Sequence, residues 1–290
     1  MPNVLVIGGS RNIGYYTALR LLGTCIPRPT QHLDLTCRVI AAGSTVTFLL
    51  RSSSVFNDDA QVQEYVKSEK AFLVQGDALK QSDIQNVWAE ASRHGDVDVI
   101  LFTVGGTPKF HILKGAVITP ENLVTQCFLN LICTIPHTAT PKLVAISSMG
   151  LTRESHASLP LLLKPIYGYL LPLPHKDKMG MERVIAHCAG WDWNTKDDGE
   201  PEEKIMGPAW REREGLPAAG SVKNIMVVRP ALLTDGACLA DGSDKPAYRL
   251  SDKEIKGGYT ISRKDVAHFL VDAVSNRWND FVDKRITIVY

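Results

Sequence analysis

Residues 4–22 read VLVIGGSRNIGYYTALRLL. Val4–Ile7 is a short apolar run of strand character. Gly8-Gly9-Ser10-Arg11-Asn12-Ile13-Gly14 is a glycine-rich turn, and Ile13–Leu22 reads as a helix. Strand, tight turn and helix in direct succession make a cradle for phosphate. Glycine lets the backbone approach the anion, and the helix start offers free N–H groups and the positive end of its dipole. A glycine-rich turn alone is weak, but between a strand and a helix it meets the context a dinucleotide-binding loop needs. Gly8, Ser10, Arg11, Asn12, Ile13 and Gly14 are the expected phosphate contacts, with Arg11 as an added cation. The plainer alternative is a turn that packs strand on helix and binds nothing.

The alternation continues outward from this loop. Thr45–Leu50, Ala71–Val74, Val97–Val104, Leu143–Ser147, Ile225–Val228 and Arg285–Val289 read as strands. Between them, helices are predicted over 58–68 with Asp58 or Asp59 near the start, Ser82–Ser92 with Ser82 as N-cap, and Thr119–Leu131 with Pro120 in the first turn. Two more are predicted over Asp177–Cys188 and over Arg263–Val274, the latter capped by Ser262 with Asp265 at its third position. Near-continuous apolar strands separated by helices predict a mostly parallel sheet covered on both faces, an α/β doubly wound fold of the Rossmann type. No internal repeat and no long linker interrupts the 290 residues. One domain over 1–290 is therefore expected, with excursions at 23–42, 151–174 and 192–221. The second, containing LPLLLKPIYGYLLPLP, reads as a small apolar, substrate-facing lobe. The third, rich in charge, glycine and proline, reads as a solvated loop.

Composition excludes several classes. With 44% hydrophobic and 22% charged residues the chain is not wholly disordered. A net charge of +1 gives no electrostatic footprint for nucleic acid or an anionic membrane. The most apolar stretch, Leu159–Leu173, is broken by Pro160, Lys164, Pro165 and Pro172, so no membrane span is expected. No basic and then apolar leader opens the chain, which predicts a cytoplasmic protein. Cys25, Cys37, Cys127, Cys133, Cys188 and Cys238 form no CxxC pair and no zinc spacing, so reduced thiols and no metal are expected.

The strand ends carry the chemistry. The second strand runs into Arg51-Ser52-Ser53, where an acidic residue would favour NAD. The arginine fork suits a 2′-phosphate instead, so NADP is the expected cofactor, NADPH being preferred over NADH. After the third strand, Asp77 and Ala78 either meet the adenine or only cap the turn. Val104, Gly105 and Gly106 follow the fourth strand. Ser147 and Ser148 end the fifth, His175 precedes the next helix, and Lys178 sits one turn into it. Ser148, Lys178 and His175 are the candidate catalytic groups, and Ser147 and Lys178 also candidate cofactor contacts. Arg229 at the sixth strand end either forms an internal ion pair or lines the cleft.

These motifs, with TVGG at 103–106, AISSMG at 145–150, DKMGMERVI at 177–185, VVRPALLTDG at 227–236 and ISRKDVAHFLVDAV at 261–274, resemble atypical short-chain dehydrogenase/reductases of the NmrA-like, NAD(P)-binding kind. They are similar to segments of small NADPH-dependent flavin and biliverdin reductases. The resemblance implies a strand order of 3-2-1-4-5-6-7, and Gly105 and Gly106 beside the nicotinamide half of the cofactor. It also implies a tyrosine four residues before Lys178, where this chain has Pro174, and a middle glycine where it has Asn12. The expected function is NADPH-dependent hydride transfer to a small apolar or aromatic metabolite, plausible in specialised metabolism. The alternatives are a non-catalytic NADP-sensing regulator that binds a protein, or a dehydratase or epimerase on the same fold. The sequence fixes no oligomeric state.

Overall fold

In the computed structural model, which describes residues 1–23, 43–107, 109–111, 115–151, 172–242 and 247–290, the opening apolar run forms β1 (Asn3–Ile7), buried throughout. α1 (Asn12–Leu22), β2 (Thr45–Leu50), a 3-10 turn at Ser53–Phe56, α2 (Ala60–Lys67), β3 (Ala71–Gln75), α3 (Gln81–Ser92) and β4 (Val99–Phe102) follow. A hairpin of β5 (Lys109–His111) and β6 (Gly115–Val117) precedes α4 (Leu123–Ile132) and β7 (Lys142–Ile146). The remainder comprises α5 (Pro172–Ala189), the single turn α6 (Glu203–Met206), β8 (Ile225–Pro230), β9 (Leu232–Thr234), β10 (Arg249–Ser251), β11 (Thr260–Ser262), α7 (Arg263–Ser275), α8 (Trp278–Phe281) and β12 (Lys284–Val289).

Eight strands form one sheet in the order β10-β12-β8-β7-β4-β1-β2-β3, parallel except for β10 at the edge. With β7, β8 and β12 as fifth, sixth and seventh strands, the order is the 3-2-1-4-5-6-7 that the resemblance implies. The unbroken apolar character of β1 has a direct cause. Val4 and Val6 pack on one face in the same core cluster as Leu19 of α1 and Phe269 of α7. Leu5 and Ile7 pack on the other with Phe128 of α4 and Val184 of α5. Period-2 alternation places successive side chains in two cores.

Several boundaries differ from the sequence reading. α4 begins at Leu123, leaving Pro120 outside it, because a carboxylate from another helix sets the start. Asp177 of α5 is buried and accepts the Val124 and Thr125 N–H groups at 2.8 Å each. Ser82 lies inside α3, whose cap position is Lys80. The α2 start is as expected, with the Asp59 carboxylate accepting from Val62 N. α5 begins five residues before Asp177, so His175 lies within the helix and does not precede it. The 192–221 segment is not simply a solvated loop: it contains α6 and a 3-10 turn and buries Ile205, Met206 and Trp210. The edge strand β10 and the pair β9–β11 were not foreseen, since three-residue strands carry too little pattern to read. Most of the expected excursions at 23–42 and 151–174, the apolar lobe included, lies outside the described residues, as do Cys25 and Cys37. Cys127, Cys133, Cys188 and Cys238 are free thiols. Among the described residues no helix is long and apolar enough to cross a membrane.

Asp265, in the first turn of α7, is fully buried and closes the C-terminal part of the fold. Its carboxylate accepts from Ser262 Oγ (2.7 Å), Tyr290 OH (2.6 Å), Ala240 N (2.9 Å) and Leu239 N (3.1 Å). Burial alone would raise its pKa, but these bonds together outweigh it and hold the carboxyl below its ordinary value. Asp265→Asn is expected to cost about 2–3 kcal/mol and Tyr290→Phe about 1 kcal/mol. Urea midpoints at neutral pH, with unchanged slopes, are the check.

Candidate functional site

β1, β2, β3, β4, β7 and β8 all end on one edge of the sheet, and the order reverses between β1 and β4. In doubly wound sheets the crevice at that reversal takes the ligand. The loops after β1 and β4 meet there closely. Thr103 Oγ1 donates to the carbonyls of Ile7 (3.3 Å) and Gly8 (3.1 Å). Gly8 has φ +93°, and a Cβ on it would stand 2.6 Å from the backbone of Thr103 and Val104. Only glycine meets both conditions. Ser10, Arg11 and Asn12 are exposed, whereas Ile13 is buried and anchors the helix start in the core. Asn12 has φ +57°, the left-handed conformation that asparagine tolerates better than most residues. It therefore takes the conformation that a glycine would supply there. α1 has no side-chain cap and no acidic residue in its first turn, so its own side chains leave its N-terminal end to an anion.

On the β2 side of the crevice stands Arg51. This residue is exposed just past β2 and makes no hydrogen bond or ion pair among the described residues. Asp77 follows β3, and its Oδ1 accepts from Leu79 N at 3.0 Å while its own N–H donates to Asp83 Oδ2 at 2.8 Å. That is the turn-capping alternative in its expected form, and it leaves Ala78 in the same turn. On the far side, Gly105 is exposed and a Cβ there would meet nothing within 4 Å, whereas one on Gly106 would run into Ile118. The glycine pair thus offers room at 105 and close packing at 106.

The loop after β7 supplies the third wall. Lys178 Nζ donates to the Ser147 carbonyl at 2.7 Å. Burial pushes the Lys178 pKa down to about 8, against the opposing pull of Asp177 and Glu182. Ser148 Oγ lies 3.2 Å from the Met149 carbonyl and 3.4 Å from His175 Nε2. A serine hydroxyl has one proton. With that proton on Met149, the second contact needs His175 Nε2–H as donor. The loop after β7 therefore holds two separate contacts, Ser148 with His175 and the Ser147 carbonyl with Lys178, and Ser147 presents its carbonyl rather than its buried hydroxyl. No tyrosine stands at Pro174, which is part of the first turn of α5.

Four residues beyond Lys178, Glu182 is fully buried. Arg229 binds it in bidentate fashion, Nε to Oε1 at 3.0 Å and Nη2 to Oε2 at 2.6 Å, and Arg285 Nε approaches Oε2 at 3.3 Å. The ion-pair alternative for Arg229 is thus the observed one, with Glu254 at 3.6 Å completing the group. Sequence reasoning missed Glu182, Asp177 and Thr103 as positioning residues, and also Thr107, whose Oγ1 accepts from Arg11 Nη2 at 2.5 Å. Asp177 and Glu182 lie inside the recognised DKMGMERVI motif, but nothing local in it shows which carboxylates are buried.

No family model matches the chain. Over 156 residues it is 32% identical to a protein named reductase pytE from Aspergillus terreus. That match takes in 53% of this chain and 49% of the other, so the chain matches about half the length of its curated relative. Among solved structures, a short-chain dehydrogenase from Burkholderia cenocepacia J2315 in complex with NADP superposes with a TM-score of 0.56 at 15% identity, covering 99% of this chain and 95% of that one. ChuY from Escherichia coli O157:H7, described as an anaerobillin reductase, gives 0.53 at 14% identity over 100% and 97%. The chain has the fold of the short-chain dehydrogenase/reductases.

Proposed function

We propose that the protein is an NADPH-dependent oxidoreductase of the NmrA-like kind. It would transfer hydride to a small apolar or aromatic metabolite, in the cytoplasm and as part of specialised metabolism. The observation that carries this reading is the crevice at the β1–β4 reversal, in which Gly8 and the left-handed Asn12 shape an uncapped helix start for phosphate. The similarity to a reductase over half the chain, and the shared fold with an NADP complex, support the same reading.

Gly8, Ser10, Arg11, Asn12, Ile13 and Gly14 would hold the pyrophosphate, and Arg51 the 2′-phosphate. Asp77 and Ala78 would border the adenine, and Val104, Gly105 and Gly106 the other half of the dinucleotide. A nicotinamide bound there supplies the hydride; the residues position it and exclude water. Lys178, tied to the Ser147 carbonyl, would orient ribose hydroxyls and stiffen the β7 end. Ser148 and His175 would hold a proton at Oγ, with His175 as its source. That pair would take the part that the resemblance gives to a tyrosine.

Pro174 in place of that tyrosine also favours a second reading, a sensor that binds NADP and a protein partner without turnover. Fluorescence and calorimetric titrations with NADPH, NADH, NADP and NAD, beside Arg51→Ala, test the binding claim. NADPH is expected to bind tightest, and Arg51→Ala to lose about tenfold in NADPH affinity with little change for NADH. NADPH oxidation across quinones, enones, aldehydes and flavins then separates the two readings. Binding without turnover of any acceptor would sink the enzymatic one.

A further inference from the structure

Given the dinucleotide reading above, we infer that Asn130 and Arg213 are positioning residues for the adenosine half of the cofactor. The 192–221 segment, through Arg213, locks Asn130, which in turn holds the turn at Asp77-Ala78. The bonds of that turn are of two kinds. Those within it give it shape: Asp77 Oδ1 accepts from Leu79 N, and the Asp77 carbonyl accepts from Lys80 N at 2.8 Å. Others fix it to the body of the protein. Gly76 N donates to the Leu50 carbonyl at 2.8 Å and fixes its start. Two residues on, the Ala78 carbonyl accepts from Asn130 Nδ2 at 2.8 Å, across 52 residues of sequence. Asn130 lies on α4 and is only 4% exposed.

The two partners fix the orientation of the Asn130 amide. Arg213 Nη2 donates to Oδ1, and a guanidinium accepts nothing. A carbonyl donates nothing, so Ala78 takes the Nδ2 end. The positive charge on Oδ1 also strengthens the N–H donors at the other end of the same amide. Arg213 is placed by its own segment, which follows one face of α4 at residues 126, 130 and 133, four and three apart. Gln126 Nε2 donates to the Ile205 and Met206 carbonyls at 3.0 and 3.1 Å and so seats α6. At the other end Gly215 lies so close to α4 that a Cβ on it would stand 2.5 Å from the Cys133 carbonyl oxygen. The segment is thus laid along α4 with Arg213 over Asn130. Its part in the molecule is then more than to bury apolar side chains: it clamps the amide that holds the side of the adenine turn.

Two variants divide the roles. Asn130→Asp keeps an oxygen for Arg213 but sets a second acceptor against the Ala78 carbonyl. Arg213→Met keeps the bond between Asn130 and Ala78 and removes the clamp. Arg213 is only half-buried, so its variant is expected to fold even if that of the buried Asn130 does not. Each is titrated calorimetrically with adenosine 2′,5′-bisphosphate, the adenosine half of NADP. Amide hydrogen exchange is followed without ligand over residues 76–80 and, as a control, over the glycine loop at 8–14. Asn130→Asp should weaken the bisphosphate by about tenfold and Arg213→Met by about two- to threefold. In both, exchange should quicken at 76–80 and stay unchanged at 8–14, a split that a general loss of stability would not produce. Exchange quickened equally at both places would overturn the positioning role. So would weaker binding with no change at 76–80, or faster exchange there with affinity intact. If the unaltered protein binds neither the bisphosphate nor NADPH, the dinucleotide reading itself falls, while exchange at 76–80 still reports whether Asn130 holds the turn.

Discussion

Glu182→Gln is expected to destabilise the fold by about 3–5 kcal/mol, because it removes one partner from a buried ion pair and strands the other. Glu182 has no exposed surface and accepts both arms of Arg229, itself only 8% exposed. Arg285, stacked at 5.0 Å from the Trp191 ring and 5.8 Å from Trp193, approaches the same carboxylate. Without the charge on Glu182, Arg229 would keep Glu254 at 3.6 Å, and Arg285 would be left with the charge of Asp198, which acts on both guanidinium groups without an ion-pair contact. Against a usual total of about 5–15 kcal/mol, that loss is severe. Urea denaturation at neutral pH measures it directly, and a change below about 1 kcal/mol would show that the cluster is not held by Glu182.

The same residue sets an acid dependence. Burial works to raise the Glu182 pKa, but the charge and hydrogen bonds of Arg229, with Arg285, outweigh it and hold the carboxyl below its ordinary value of 4.5. A carboxyl lowered in the folded state contributes stability that is complete above the unfolded value. That stability is lost as pH falls from 4.5 through the lower folded value. Glu182→Gln should therefore flatten the acid limb of the stability profile as well as lower the plateau. The consequence reaches the site, since Lys178 lies one helical turn before Glu182 on α5. Loosening that helix against β8 and β12 would loosen the lysine's bond to the Ser147 carbonyl.

How much of this was legible in the sequence depends on the range of the interactions. The strands and most helices were readable because each carries its own apolar pattern, and β1 declares by its unbroken apolar character that both its faces are covered. The order of the long strands followed from the resemblance. The start of α4 was misread because Asp177, far along the chain, supplies the carboxylate that fixes it. Likewise, Arg229 showed two open alternatives until Glu182 was seen opposite it, and Arg11 showed a cation without a direction until Thr107 fixed one. Residues that act within one turn of the chain were legible. Those whose partner comes from another element were visible as types and not as contacts, because no local pattern encodes which carboxylate a fold will bury.

The glycine loop contains a contrast that separates backbone shape from residue type. Gly8→Ala is expected to lower nucleotide affinity by about a hundredfold or more, with the sheet intact. An alanine at φ +93° is strained by about 1–2 kcal/mol. Its Cβ would also stand 2.6 Å from the backbone of Thr103 and Val104, which cannot rotate away as a side chain can. The loops after β1 and β4 must then part, and the start of α1 leaves the crevice. Asn12→Gly should do the reverse. At φ +57° glycine relieves what strain asparagine retains, so the loop keeps its shape and affinity holds or rises slightly. Titration of NADPH into both variants decides the matter. If Asn12→Gly weakened binding markedly, the Asn12 side chain would be a ligand to the phosphate rather than a substitute for glycine. If Gly8→Ala bound as well as the unaltered chain, the phosphate would lie elsewhere than over this loop.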